Sequence, residues 1–210
     1  DVGSRIYHWQ LPGGWLESTA WQMEIASDWP GLSSGDILEA FTSIEGPILQ
    51  GQDRQSKYKL SYFLPLGVDL ASLRLVMEAR LKELQARSSW IYSFDEQAQM
   101  GLLDILPERA TKLHAVEFLM QQLGLGSNST VFAGDSGNDL PILVSSVPSV
   151  LVANAHPDVL KQAHDISRQR GTSQQLYLAK GKFLAMNGNY SAGILEGLVY
   201  FHPDTKAWIT

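Results

Sequence analysis

Residues 130–141 read Thr-Val-Phe-Ala-Gly-Asp-Ser-Gly-Asn-Asp-Leu-Pro, and no other stretch constrains the chain as much. A short apolar, partly β-branched run stops at a glycine. Asp135 and Asp139 follow with Ser, Gly and Asn between them, and an apolar segment resumes behind a proline. The pattern predicts a buried strand, a polar loop at its carboxyl end and then a helix. Open parallel sheets bind their ligands at that edge of the strands. Asp135, Asn138 and Asp139 offer hard oxygen ligands, which suit Mg2+, a cation that keeps some of its waters and is shared with a substrate phosphate. Two other structures use the same residue types. Asp, Ser, Gly and Asn form plain turns, and calcium also takes carboxylate and amide oxygens, although the alternating acidic spacing and terminal Glu of the helix-loop-helix calcium site are missing.

With 210 residues the chain can bury a substantial core, as one large domain or two smaller ones. Hydrophobic residues make up 44% and charged ones 18%, a globular balance and not a disordered one. A net charge of -6 with scattered Lys and Arg gives no electrostatic face for nucleic acid. The absence of cysteine rules out disulfides and thiolate chemistry and is compatible with a reducing, cytoplasmic setting. No apolar run reaches bilayer-spanning length, and no basic segment precedes an apolar one at the amino end, so the expectation is a soluble protein with no membrane partner. The chain opens on Asp1-Val2-Gly3 without an initiator Met, and is read as cut from something longer.

Taken in order, Ile6 to Leu11 alternates loosely and stops at Pro12-Gly13-Gly14, a strand and turn. Trp15, Trp21 and Trp29 follow, a cluster that serves either core packing or sugar stacking. Ile37, Leu38, Phe41 and Ile44 have helical spacing, Ser56 to Leu64 alternates like a strand, and Asp69 caps a helix striped by Leu70, Leu73, Val76, Met77, Leu81 and Leu84. Trp90 to Phe94 and Leu102 to Leu106 are two more strands. Residues 30–105 therefore read as a small α+β unit. Beyond Pro107, Thr111 caps a helix closed by Gly124, the strand before Asp135 follows, and Pro141, Ser149 to Ala153 and Pro157 begin or span further alternating elements. That alternation predicts a parallel sheet. Residues 174–183 are ambiguous, and Ala192 to Phe201 ends the chain as a helix.

Lys112 falls in the first turn of its helix, where free backbone N–H groups and the macrodipole favour an anion. Ala110-Thr111-Lys112, followed by Val131 to Asp139, resembles the third and fourth motifs of the haloacid-dehalogenase (HAD) superfamily of magnesium-dependent phosphatases. Val2 to Tyr7, Lys57 to Tyr62, Leu103 to Pro107, Val152 to Pro157 and Ser191 to Glu196 are similar, in order, to segments of the sucrose-6-phosphate phosphatase family within it. The resemblance spans nearly the whole chain. It implies an α/β fold: a Rossmann-like parallel-sheet HAD core formed by residues 1–29 and 106–210, with an inserted α+β cap at 30–105 that recognises the sugar.

The resemblance further implies roles. Asp135 is a magnesium ligand, Asp139 holds the metal's water shell, Asn138 orients the phosphate or Asp139, and Lys112 neutralises phosphoryl oxygens. The cofactor is Mg2+ and the substrate a phosphorylated sugar, sucrose 6-phosphate. In the cap, Lys57, Lys59 and Tyr62 either donate hydrogen bonds to sugar hydroxyls or divide into a packed tyrosine face and solvated lysines. The chain departs from the family in four places, one of them the hydroxyl-bearing second motif, which is absent and is expected, like the first, ahead of residue 1. It contains no Asp-x-Asp, so the aspartate that attacks phosphorus is expected upstream of residue 1, and the 210 residues alone are expected to be inactive. Arg5 stands where relatives carry an acidic residue, and Leu113 where they carry glycine. Two readings follow: the larger part of an active phosphatase, or an inactive phosphatase-like domain with a structural or channelling role in a sucrose-phosphate synthase, whose glycosyltransferase domain is then a partner.

Overall fold

The computed structural model describes residues 2–209. Asp1 and Thr210, the outermost positions of the expected core spans, lie outside the described residues, as does the side chain of Leu184. The chain divides into two compact units, Asp1–Ala115 and Val116–Thr210.

The first unit begins with an antiparallel hairpin of β1 (Tyr7–Gln10) and β2 (Gly14–Glu17), with Trp9 opposite Trp15. Helix α1 (Thr19–Ala26) starts at Ser18, whose hydroxyl accepts the Trp21 N–H at 3.2 Å. Helix α2 (Ser34–Phe41) starts with reciprocal bonds between Ser33 and Asp36, in which the Asp36 carboxylate accepts the Ser33 N–H at 2.7 Å. Strands β3 (Ile48–Leu49) and β4 (Leu60–Leu64) follow, then α3 (Leu70–Glu83), β5 (Ser88–Asp95) and β6 (Met100–Pro107). Asp69 caps α3 as expected, accepting the Ala71 and Ser72 N–H groups.

The four strands form one antiparallel sheet in the order β3-β4-β6-β5. Strand β4 begins later than its alternation predicts, because a turn closed by reciprocal backbone bonds between Ser56 and Lys59 occupies its first residues. Leu60, Tyr62 and Leu64 are buried on one side of β4, and Ile37, Phe41, Leu73, Met77 and Leu81 supply the helix faces of the core. Trp21 and Trp29 have no exposed surface whereas Trp15 is 69% exposed, so two of the three clustered tryptophans serve packing.

Asp28, fully buried, ties three distant segments together. Its carboxylate accepts from Arg87 Nη2, from the Arg109 backbone N–H at 2.7 Å and from Arg109 Nε at 3.3 Å. A buried carboxylate needs such partners, since desolvation without them costs several kcal/mol. The segment after α1 is thereby held against both the start of β5 and the end of β6.

Helix α4 (Lys112–Leu123) runs from the first unit into the second and ends at Gly124. The second unit continues with β7 (Phe132–Gly134), α5 (Leu140–Leu143), β8 (Ser149–Leu151), α6 (Pro157–Arg170), β9 (Leu176–Leu178) and α7 (Tyr190–Phe201). Its sheet is parallel in the order β7-β8-β9, with Phe132 beside Ser149 and Ser149 beside Leu176. β9 lies within the stretch whose periodicity was ambiguous. Leu143, Val144, Leu151, Ala155 and Ala163 form the core, with Phe132, Val159 and Leu178 packed against them. No helix among the described residues is long and apolar enough to cross a membrane.

Glu196 of α7 is buried and accepts the Tyr177 hydroxyl at 2.8 Å and the Lys180 and Gly181 N–H groups at 2.9 Å. One side chain thus fixes both β9 and the turn that leaves it.

Replacing Asp28 with Ala leaves the Arg109 N–H without its acceptor and is expected to cost about 1–3 kcal/mol in denaturant unfolding. Burial, reinforced by the Glu196 bond, pushes the Tyr177 hydroxyl from 10.0 up to about 12. A group whose pKa is raised by folding stabilises the fold below its unfolded value and loses that contribution as pH climbs through the folded one. Stability should therefore fall between pH 10 and about pH 12, and Tyr177→Phe should remove that part of the alkaline loss in unfolding curves taken across the interval.

Candidate active site

The loop after β7 is built on one buried carboxylate. Asp139, 4% exposed, folds back on the end of its own strand. Its Oδ2 accepts the backbone N–H groups of Asp135 and Ser136 at 3.2 Å each, and the Ser136 hydroxyl lies 2.8 Å from it. The same hydroxyl lies 2.8 Å from Asn138 Oδ1, so its single proton serves one acceptor at a time. Gly134 makes the fold-back possible, because a Cβ there would stand 2.7 Å from both Asp139 Cγ and Oδ2. Residues 137–139 form a single tight helical turn that leads into α5.

Asp135 is left in a different state from Asp139. Its backbone N–H is engaged, yet among the described residues its exposed carboxylate has no hydrogen-bond or ion-pair partner. Asn138 is also exposed at the rim of the loop. The four residues therefore present one outward carboxylate and one outward amide at the carboxyl edge of a parallel sheet, while the second carboxylate works from behind.

This donor set fits Mg2+. The ion is bound through one or two carboxylates, keeps several waters and completes its shell with phosphate oxygens, so few protein ligands suffice. It does not fit a cage of several protein ligands, and among the described residues no group of three or more His, Asp or Glu is gathered in one place. The Asp139 Oδ2 is taken up by the backbone N–H groups of Asp135 and Ser136.

Lys112 is the first residue of α4, in the first unit. Thr111 caps that helix, its hydroxyl accepting the His114 N–H at 3.2 Å. The cap sits against Gly3, whose φ of +107° and missing Cβ allow contact with the Thr111–Lys112 peptide. A Cβ there would stand 2.4 Å from the Thr111 carbonyl carbon. The buried Trp21 indole donates to the Gly3 carbonyl at 3.1 Å and meets the His114 ring edge-on at 5.2 Å. His114 in turn places Nδ1 2.9 Å from the Arg109 carbonyl and Nε2 3.3 Å from Glu24. The start of α4 is thus located by Gly3, Trp21 and His114, none of which periodicity singled out.

Of the residues expected to meet the sugar, Lys59 is 7% exposed, and its ammonium lies 3.5 Å from Asp104 Oδ1. The Ser61 hydroxyl donates to the same oxygen at 2.5 Å. Lys57 is exposed, with Nζ 5.0 Å above the Tyr58 ring. Tyr62 is 4% exposed and packs with Phe41 and Met77 beneath the helices, on the face of β4 opposite to Lys59 and Ser61. The structure therefore gathers Lys59, Ser61 and Asp104 and separates Tyr62 from them. Asp104 and Ser61 could have been found from register alone, since they are cross-strand partners. Arg5 bonds the Tyr7 hydroxyl at 3.0 Å and stands 3.7 Å from Glu17.

A family model described as sucrose-6F-phosphate phosphohydrolase matches residues 1–202. A putative HAD-like hydrolase of Nitrosococcus oceani is 44% identical over 210 residues, which is all of this chain and 56% of that protein. Mannosylfructose-phosphate phosphatase of Agrobacterium fabrum is 30% identical over 169 residues, covering 80% of this chain and 60% of its own length. The chain therefore spans little more than half of these relatives. Among solved structures, the sucrose-phosphatase of Synechocystis, determined in complex with sucrose and phosphate, superposes with a TM-score of 0.68 at 26% identity, covering 96% of this chain and 72% of that one. A haloacid dehalogenase-like hydrolase from Bacillus subtilis shares the fold, with a TM-score of 0.56 at 18% identity over 95% of this chain and 66% of its own.

Because a methyl group at residue 134 would overlap Asp139, Gly134→Ala should expel that carboxylate and strand its donors, costing about 2–3 kcal/mol of stability. Chemical denaturation of the variant measures this, and Asp139→Ala should produce a loss of similar size.

Proposed function

Since the chain belongs to the sucrose-6F-phosphate phosphohydrolase family, we propose that its protein is a magnesium-dependent phosphatase that releases phosphate from sucrose 6-phosphate. The observation that carries this reading is the loop after β7, where an outward, unpartnered Asp135 is braced by a buried and satisfied Asp139. On this reading residues 1–29 and 106–210 form the core and residues 30–105 the cap.

Asp135 would hold Mg2+ with Asn138 beside it, and Asp139 would fix Asp135 from behind and hold the ion's water shell. Bound there, Mg2+ neutralises charge on the phosphoryl group. Asn138 donates its amide N–H to a phosphate oxygen. Lys112, at the capped start of α4, adds a positive point charge, and the helix N-terminus adds its dipole in the same sense. Phosphoryl transfer asks mainly for positioning and charge neutralisation, which these four residues supply. The reaction also needs an attacking carboxylate in an Asp-x-Asp motif, which these 210 residues lack and which we assign to a segment ahead of Asp1. Without it the 210 residues alone should be inactive.

For the sugar, Lys59 is the best-prepared cap donor, because Asp104, itself bonded by the Ser61 hydroxyl, holds its ammonium on the sheet face opposite the helices. Lys57 is the second. A disaccharide phosphate is supported by two relatives' names, sucrose-phosphatase of Nicotiana tabacum and mannosylfructose-phosphate phosphatase. A sucrose-phosphate synthase, which makes that substrate, is the partner this reaction implies, and we place the reaction in the cytoplasm.

The test is a phosphate-release panel on the longer protein, comparing sucrose 6-phosphate with mannosylfructose phosphate and simple hexose phosphates. Sucrose 6-phosphate should give the highest kcat/KM, and chelation should abolish turnover. Asp135→Ala should lower kcat by about two to three orders of magnitude while circular dichroism stays unchanged. Undiminished turnover in that variant would overturn the site, and a preference for hexose phosphates would overturn the substrate.

A further inference from the structure

The antiparallel sheet runs β3-β4-β6-β5, so β5 has a neighbour on one side only. Just ahead of the strand the Glu108 N–H donates to the Arg87 carbonyl at 3.1 Å, and Pro107, which has no N–H, stands opposite Ser88. Antiparallel ladders alternate between bonded and non-bonded pairs. The odd-numbered residues of β5 therefore turn their backbone groups to β6, and Ser88, Trp90, Tyr92 and Phe94 turn theirs outward. Among the described residues, no hydrogen bond joins the outward backbone groups of these four to another element.

Natural sheets blunt an open edge with charged side chains, prolines or bulges. β5 uses none of these. Its register against β6 runs without a bulge, and Ser88 to Phe94 holds neither a charge nor a proline. The even-numbered side chains lie on the face that the helices cover, because Trp90 and Tyr92 pair with Ile105 and Leu103, which pair in turn with Leu60 and Tyr62. The Arg74 guanidinium lies 5.8 Å from the Trp90 ring centre, whereas Tyr92 and Phe94 are left 49% and 42% exposed.

The edge is complementary to a second copy of itself. Turned end for end about Ile91, another β5 sets Ser88 opposite Phe94 and Trp90 opposite Tyr92, so every outward residue meets an outward residue. The same register sets Arg87 of each copy opposite Asp95 of the other. Arg87 gives Nη2 to Asp28 and stands 3.8 Å from Glu108, yet its side chain is 59% exposed and has further donors. Asp95 accepts the Gln97 and Ala98 N–H groups through Oδ1 at 2.9 Å, which leaves Oδ2. A register two residues away in either direction sets both charges opposite uncharged Ser or Gln.

We propose that β5 pairs antiparallel with β5 of a second copy about a two-fold axis at Ile91, joining the two sheets into one. Trp90 and Tyr92 form cross-strand aromatic pairs on either side of the axis, and an Arg87–Asp95 ion pair closes each end. One strand pair is a small interface, at the low end below about 1,200 Å², so the dimer should dissociate on dilution. The surface does not include the loop at Asp135, and the proposal does not depend on the phosphatase reading.

Sedimentation equilibrium of the 210-residue chain, from low micromolar to submillimolar concentration, should show monomer and dimer in exchange. Tyr92→Pro removes an outward N–H and spares the ladder to β6. With its circular dichroism unchanged, it should leave monomer alone. Asp95→Asn, which keeps the Oδ1 acceptor of the turn, should weaken the dimer about three- to tenfold. Because the chain has no cysteine, single cysteines report the register. Ile91→Cys meets itself across the axis at a non-bonded pair, within disulfide reach, and should oxidise to a covalent dimer. Ser93→Cys, opposite Ser89, should not. A monomer at every concentration would overturn the proposal. So would a dimer that persists in a folded Tyr92→Pro, an affinity that Asp95→Asn leaves unchanged, or disulfide capture at Ser93→Cys in preference to Ile91→Cys.

Discussion

A carboxylate removed from water must be surrounded by donors, and at Asp139 that requirement shapes everything around the candidate site. The nearest donors are the backbone N–H groups of Asp135 and Ser136, so the loop must curl back over the end of β7. Curling back leaves no room for a side chain at position 134, which is glycine. It also leaves Asp135 with its backbone held and its carboxylate outward. Two acidic residues of the same chemistry are thereby given different surroundings, one buried among donors and one exposed.

The same device recurs where the fold needs to hold loops that secondary structure alone would leave free. Asp28 joins the end of α1 to the segments flanking β5 and β6. Glu196 joins α7 to β9 and to the turn after it. In each case one buried oxygen pair replaces several separate backbone contacts. Because the three acceptors have at least one backbone N–H partner each, they fix main-chain position, which in turn aims neighbouring side chains. The start of α4 is fixed by a different means, with Gly3, Trp21 and His114 packed around the cap.

How much of this was legible beforehand depended on the range of the interaction. Caps at Asp69 and Thr111 are local, made within a few residues, and both were readable as Ser/Thr/Asp ahead of an apolar stripe. The run ending at Gly134 was readable as a strand for the same reason. β2 was not, because a four-residue strand with tryptophan and leucine beside a turn has too short a pattern to show a period. Strand β4 shows another limit. Its alternation said that Lys59 and Tyr62 face opposite ways, but not which side the helices would cover, and the covering helices put Tyr62 among apolar neighbours. The tryptophans divided in a similar way, Trp21 and Trp29 into the core and Trp15 outward, a difference set by tertiary position and not by residue type.

By itself the sequence determined the class of fold, the alternation that makes a parallel sheet, the polar loop with its two aspartates, and a capped helix carrying Lys112. These rest on side-chain period, turn chemistry and capping, all of which act between residues close along the chain. The tertiary structure decided which of the two aspartates is buried and which is open, that Lys59 is gathered with Ser61 and Asp104, and that Tyr62 is buried on the opposite face of its strand. Those outcomes depend on burial and on partners brought from distant segments. Desolvation is a property of the assembled surroundings, and no residue carries it in its own name.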